Sequence, residues 1–224
     1  MANEFRDQQS GQERQEAQGA QPASQGHAPS IALPSDALTL IPVRNLVLFP
    51  GLVAPISIGR DSTVRGAQEA ARASRQVGVV LQRDPEAEEL GDGDLHPMGT
   101  VANVMRYVTT PDGTHHVICQ GVQRFRIIEL LPGYPFMVAR VQRFEDPEIM
   151  TSDIEERLIQ LKARALDILQ LLPQAPAELA GSIQNMTSAP LLADFIAGLM
   201  EIKPEEKQDV LETVDVVARA DKVL

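Results

Sequence analysis

Four histidines, one cysteine and a cluster of carboxylates are the residues of this 224-residue sequence best suited to catalysis or metal binding. His27 lies in a polar N-terminal stretch, His96 follows an acidic loop, and His115 and His116 are adjacent. Neighbouring residues of a strand point to opposite faces, so His115 and His116 do not converge on one ion. Cys119 closes the strand-like run His116-Val117-Ile118-Cys119 with no charged partner beside it to stabilise a thiolate, and reads as a small buried hydrophobe. A single cysteine makes no internal disulfide and fits a reducing compartment. The loop from Asp84 to Asp94 carries six acidic residues and no basic one. Asp92 and Asp94 with a flanking glycine resemble calcium ligands, but no bidentate Glu follows at the required offset, so the loop reads as solvated. There is no phosphate-binding Gly-Lys-Ser/Thr loop, no dinucleotide glycine turn and no Gly-x-Ser-x-Gly elbow. The sequence therefore offers no catalytic, cofactor-binding or metal-binding set, and a binding module is what remains.

Composition narrows the partners. The formal net charge of -11 repels nucleic-acid phosphates and anionic membrane surfaces, which are bound by clustered Lys and Arg. No stretch approaches the ~20 apolar residues of a membrane span, and no apolar signal segment opens the chain, so a cytoplasmic location is expected. With 43% hydrophobic residues but only 4% aromatic ones and no Trp, the core must be aliphatic.

The elements that would position a binding surface fall into two regions. Residues 1–33 are rich in Gln, Ser, Gly and Ala and read as a disordered tail. Residues 34–147 read as a β subdomain: short Val-, Ile- and Leu-rich runs at 38–43, 53–58, 77–82, 99–108, 115–120, 123–130 and 136–144 alternate with Pro and Gly signals. Thr110-Pro111-Asp112-Gly113 reads as a hairpin turn, and a helix capped by Asp61 or Ser62 runs to about Arg75. Residues 148–224 change to helical periodicity. Ile154, Leu158, Leu161, Ala165, Ile168 and Leu172 follow 4, 3, 4, 3, 4 spacing behind a Ser152/Glu155 capping box, and Pro173 stops the helix. Three further helices are expected, from Pro176, from a cap at Ser188, and from Pro204 to the end. The fold class is α+β: a β pseudo-barrel with one short helix, then a small helical bundle.

One segment stands apart. Ile41 to Ile56 is an almost wholly apolar run broken by Pro42, Pro50, Gly51 and Pro55, and proline confines a strand to an edge or a bulge. Leu46, Leu48, Phe49, Pro50, Leu52 and Pro55 are the candidate apolar binding patch, with Leu48, Phe49 and Leu52 expected near the loop tip. The alternative for Leu46, Leu48 and Phe49 is that they fill the core.

The run Leu40-Ile41-Pro42-Val43-Arg44-Asn45-Leu46-Val47-Leu48-Phe49-Pro50-Gly51, continued by Pro55-Ile56 and Gly59-Arg60, resembles the opening of the N-terminal domain of the Lon protease family. Gly99-Thr100-Val101-Ala102, Gly121-Val122-Gln123-Arg124-Phe125-Arg126-Ile127 and Lys207-Gln208-Asp209-Val210-Leu211-Glu212 resemble further family signatures in the same order; Ala218-Arg219-Ala220-Asp221 departs from the commonest pattern. The resemblance implies a PUA-like β subdomain before a helical one. It also implies a role in recognising unfolded or damaged proteins and in supporting a hexamer of Lon subunits. In full-length relatives an AAA+ ATPase using ATP and Mg and a Ser-Lys protease module follow this region. Neither module is in this sequence, which is expected to be a fragment of such an endopeptidase; the alternative is a free-standing Lon-domain adaptor or small-ligand binder complete at residue 224.

The chain alone, incubated with ATP or with casein, is expected to release no phosphate and cleave no peptide bond. Turnover that survives repurification, read by a phosphate assay and by gel, would overturn the non-catalytic reading.

Overall fold

A computed structural model describes residues 31–224 apart from 112, 148 and 172–176, and no side chain at 171 or 177. Residues 1–30 of the tail expected at 1–33, Asp112 of the hairpin turn, the helix stop at Pro173 and the helix start at Pro176 lie outside the described residues. Ile31 and Leu33 pack against the cluster of Ala37, Phe136 and Val138.

The described residues form β1 (Ala37–Val43), β2 (Val53–Ile58), α1 (Asp61–Arg72), β3 (Val77–Gln82), β4 (Leu95–Thr109), β5 (His115–Leu131), β6 (Val138–Phe144) and five helices: α2 (Ser152–Leu171), α3 (Ala177–Asn185), α4 (Ala189–Leu199), α5 (Pro204–Glu212) and α6 (Val216–Val223). The class is α+β, as the residues imply. Strand order is β2-β5-β4-β3-β1-β6, and β6 also pairs with the C-terminal half of β5. The sheet curls into a pseudo-barrel without closing completely. β1 and β3 run parallel and are buried along their whole length, which is why both are nearly continuous apolar runs.

Two runs expected as separate strands are one. Gly121 does not break β5, because it serves a close approach: a Cβ there would run into the Phe49 carbonyl and the Thr100 methyl. Gly78 and Gly99 likewise leave room for the Phe125 ring, whose Cζ lies 2.8 Å from where either Cβ would be. In the helical part, the single last helix expected is two. Asp215 caps α6, its Oδ1 accepting from the Ala218 N–H at 2.8 Å. α2 is capped by Thr151, one residue before the expected Ser152, with Thr151 Oγ1 accepting from the Ile154 N–H at 3.4 Å. Of the α2 stripe, Ile154, Leu158, Leu161 and Ala165 are buried, while Ile168 is exposed.

The helices are fixed to the sheet by a buried ionic clamp. Arg124 on β5 donates through both terminal nitrogens to Asp194 on α4, at 2.8 and 2.6 Å, and its Nε donates to the Leu211 carbonyl at 2.9 Å. Arg219 on α6 lies 3.4 Å from the same carboxylate, donates to Asp146 at 2.7 Å, and reaches the Thr213 and Val214 carbonyls at 3.0 Å. Its guanidinium thus satisfies carbonyls left open where α5 ends, the place a helix C-terminus favours a cation. Around the clamp, Val47, Phe49 and Leu81 meet Ala197, Val210 and Leu211 in one apolar cluster. Gln208 adds a hydrogen bond from Nε2 to the Met98 carbonyl at 2.9 Å.

Asp194 is fully buried, so removing its carboxylate strands two buried guanidinium groups beside Asp146 alone. Asp194→Ala is expected to lose about 3–5 kcal/mol of stability. Urea unfolding monitored by circular dichroism measures it; a loss below ~1 kcal/mol, the range of an exposed pair, would show that the clamp does not hold the helices.

Candidate functional site

The pseudo-barrel has a seam. β1 is covered by β3 along Thr39–Val43, but β6 covers its other side only along Ala37–Thr39. β2 pairs with β5 and, among the described residues, with no strand on its far side. Between the outgoing end of β1 and the open side of β2 runs a groove of about 1330 Å³, lined by residues 42–46 on one wall and 55–58 on the other.

Local chemistry explains why the seam stays open. A proline has no N–H to give to a neighbouring strand, and both walls carry one, Pro42 and Pro55. Gly121 N–H donates to the Leu52 carbonyl at 2.8 Å, so residue 52 faces β5, and by alternation residues 54, 56 and 58 do too. The backbone groups of Val53, Pro55 and Ser57 therefore face the seam. On β1, the Leu40 N–H donates to the Met137 carbonyl at 2.9 Å, which puts the backbone of Pro42 on the seam side as well.

Arg60 closes one end of the groove. Its terminal nitrogen donates to Gln82 Oε1 at 2.8 Å and to the Ala87 carbonyl at 2.6 Å, and its Nε to the Glu88 carbonyl at 2.9 Å, tying the acidic loop to the start of α1. Burial and the nearby Arg44 charge lower the Arg60 pKa, while Glu88 opposes that shift. Charges on the lining balance: Arg44, Arg60 and Arg65 face Asp61, Glu88 and Glu89.

The expected patch residues separate. Leu46 and Pro55 line the groove. Leu48, Phe49 and Pro50 are buried, and Leu52 is half-buried against Gly198 of α4. The loop tip is not a solvent tip: Thr100 Oγ1 donates to the Leu48 carbonyl, Gly51 N–H donates to the Gly121 carbonyl at 3.0 Å, and α4 and α5 lie over Phe49. Phe49 is thus a core residue joining sheet to helices, as the alternative reading had it. Apolar surface does remain beside the loop, at Val53 (57% exposed) and at Leu191 of α4 (44%), whose Cδ2 lies 3.3 Å from where a Cβ on Gly51 would be. Leu191 was missed because it belongs to a helix distant in sequence, and its place in an apolar helical run reads as core.

The other chemically capable residues are structurally engaged. His115 Nδ1 meets the Tyr107 hydroxyl at 2.8 Å, whereas His116 Nδ1 meets Ser57 Oγ at 3.1 Å on the neighbouring strand, so the two rings diverge. In the acidic loop, Asp84 and Asp94 accept from the Glu86 and Gly91 N–H groups at 2.9 and 2.7 Å. Among the described residues, no group of three or more His, Cys, Asp or Glu is placed to hold a metal, and no helix is long and apolar enough to cross a membrane.

Comparison with known proteins gives a consistent result. The model of the ATP-dependent protease La (LON) substrate-binding domain matches residues 37–224. A Lon protease of Methylocella silvestris is 44% identical over 204 residues, covering 91% of this chain and 25% of that protein. One of Phenylobacterium zucineum is 49% identical over 192 residues, covering 85% and 24%. The chain spans about a quarter of the length of these relatives. Among solved structures, the N-terminal domain of Mycobacterium avium complex Lon protease superposes with a TM-score of 0.69 at 24% identity, over 84% of this chain and 95% of that one. A Lon N-terminal domain protein from Xanthomonas campestris gives 0.59 at 17% identity, over 84% and 96%. These two likenesses concern the fold.

Cys119 is fully buried, and burial pushes its thiol up to about 12 from the ordinary 9.0. At pH 8 that leaves roughly a thousandfold less thiolate than an unburied thiol has, and the thiolate is the reactive form. Native protein is expected to resist iodoacetamide and to be labelled readily in urea; rapid native labelling, read by mass spectrometry, would show that the β5 core opens.

Proposed function

We propose, from the premise that this chain belongs to the Lon protease substrate-binding domain family, that it captures unfolded or damaged polypeptides for an ATP-dependent serine protease. In this reading the chain carries no catalytic step. ATP and Mg serve other parts of a longer protein, subunits assemble as hexamers, and the whole works in cytoplasmic protein quality control. The chain itself divides into a β subdomain at 34–147 and a helical subdomain at 148–224.

The observation that carries the proposal is accessible apolar surface beside an open groove on a domain of this family. A native protein has buried its apolar segments, whereas a damaged one offers them, so exposed apolar area discriminates between the two without reading sequence. Burial at ~25 cal/mol per Å² makes a few side chains sufficient for weak, reversible capture, which suits a protein that must pass its substrate on. Of the patch expected from sequence, Leu46, Leu52 and Pro55 remain as contacts, joined by Val53 and Leu191, with Leu48, Phe49 and Pro50 supporting them from beneath. Exposed Ile159, on the face of α2 opposite its buried stripe, suits contact between subunits.

The test is fluorescence anisotropy with labelled, reduced and carboxymethylated α-lactalbumin. Val53→Ser with Leu191→Ser is expected to weaken binding roughly fivefold, in the range of partial loss of an apolar contact surface, with the unfolding midpoint almost unchanged. Phe49→Ser is expected instead to cost about 3–5 kcal/mol of stability, as core aromatic truncation does. No detectable binding by the parent chain would remove the capture reading; unchanged affinity in the double variant would move the site elsewhere.

A further inference from the structure

We infer that the seam between β1 and β2 is a docking slot in which an extended segment of unfolded polypeptide adds to the sheet through its backbone. The inference rests on the reading of the chain as a binder of unfolded polypeptide, and gives that reading a mode of recognition.

Three observations carry it. First, the groove is lined by consecutive residues of β2, Pro55 and Ser57 together with Ile56 and Ile58. Side chains at alternate positions point to opposite faces, so a groove over one face would touch one set; a groove along the strand's edge touches both. Second, that edge is chemically open. Among the described residues no backbone hydrogen bond beyond the β5 ladder involves the seam-facing N–H of Val53 or Ser57, or the carbonyls of Val53, Pro55 and Ser57. Third, the opposite wall, Pro42–Val43, is a strand edge that β6 leaves without a strand partner after Thr39, its own side chains being buried at the floor of the groove. A strand placed there would complete the barrel, pairing with β2 and approaching β1. β2 has six residues, so the slot is about 20 Å long.

The prolines decide which partner fits. With no N–H at Pro42 or Pro55, the walls present mainly acceptors, and the guest has to supply donors. A peptide backbone does so at every non-proline residue, whatever its side chains. The balanced charge of the lining adds no preference for either sign, on a chain whose net charge is -11. The same prolines make the edge a poorer partner for another copy of itself, since neither copy has a donor at residue 55 to give the other. An unfolded polypeptide in extended conformation is the occupant that matches all of these features.

Two measurements test the slot. The probe is an acetylated, amidated octapeptide alternating valine with serine and carrying fluorescein on an added lysine, compared with an analogue N-methylated at consecutive residues so that neither edge can donate. On the protein side, Ser57→Pro removes a seam-facing N–H without touching the inward β5 ladder, and Ser57→Ala controls for the lost hydroxyl contact with His116. The parent peptide is expected to bind; N-methylation and Ser57→Pro are each expected to weaken it tenfold or more, with Ser57→Ala near the parent. If Ser57→Pro fails to fold, the N-methylated peptide decides alone. Equal binding of the two peptides overturns the slot. So does absence of peptide binding while carboxymethylated α-lactalbumin still binds, and in either case the apolar capture reading stands. If neither probe binds, both readings fall.

Discussion

Arg124 and Arg219 are held out of water against one fully buried carboxylate, Asp194, with Asp146 closing the charge balance from the partly open side. Each guanidinium also satisfies carbonyls at the end of α5, so the clamp joins β5, the segment after β6, α4, α5 and α6 in one polar network. Such a network is unforgiving, since the low polarity that strengthens each bond also makes any orphaned member costly. Everything around it follows that geometry. α4 must lie over the β1–β2 loop to deliver Asp194, and that placement buries Phe49, lays Leu52 on Gly198 and brings Leu191 beside Gly51.

The family-like segments acquire physical reasons from this arrangement. Gly99 and Gly121 stand where a side chain would collide with the Phe125 ring and the Phe49 carbonyl. Arg124 is half of the clamp, and the α5 segment supplies the Gln208 bond to Met98 together with Val210 and Leu211 of the shared core. The apolar run of the β1–β2 region is divided between two tasks. Its middle, Val47 to Pro50, ties sheet to helices, while its ends, Pro42 to Leu46 and Pro55 to Ile58, border the seam.

Local signals were readable where local physics decided the outcome. The change from strand runs to helical spacing after Glu145, the 4-3-4 stripe from Ile154 to Ala165, and the Ser188 cap of α4 all lie where the residues place them. The misreadings arise where a distant partner overrides a local cue. Gly121 reads as a strand break, yet its freedom serves Phe49, 72 positions earlier in the chain. Val216 to Val223 looks continuous with the helix from Pro204, yet Arg124 and Arg219 occupy the carbonyls at the break, and only Asp215 hinted at a new start. The groove was half legible: prolines flagged β1 and β2 as edges, but nothing in a linear sequence says that two such edges face each other, or that Arg60 would fasten a loop from beyond β3 across one end.

The long reach of the clamp also sets an order of events during synthesis. Arg124 and the Leu211 carbonyl it binds are 87 residues apart, and Met98 waits for a partner 110 residues later. At ribosomal speeds of ~5–20 residues per second, β5 exists for several seconds before α4 and α5 emerge to neutralise and cover it. Until then a charged guanidinium cannot settle into its final apolar site, because an unpaired ion there is strongly disfavoured. The chain therefore passes through an interval in which its own strand edges and apolar loop are uncovered, and depends on α4 and α5 to end it.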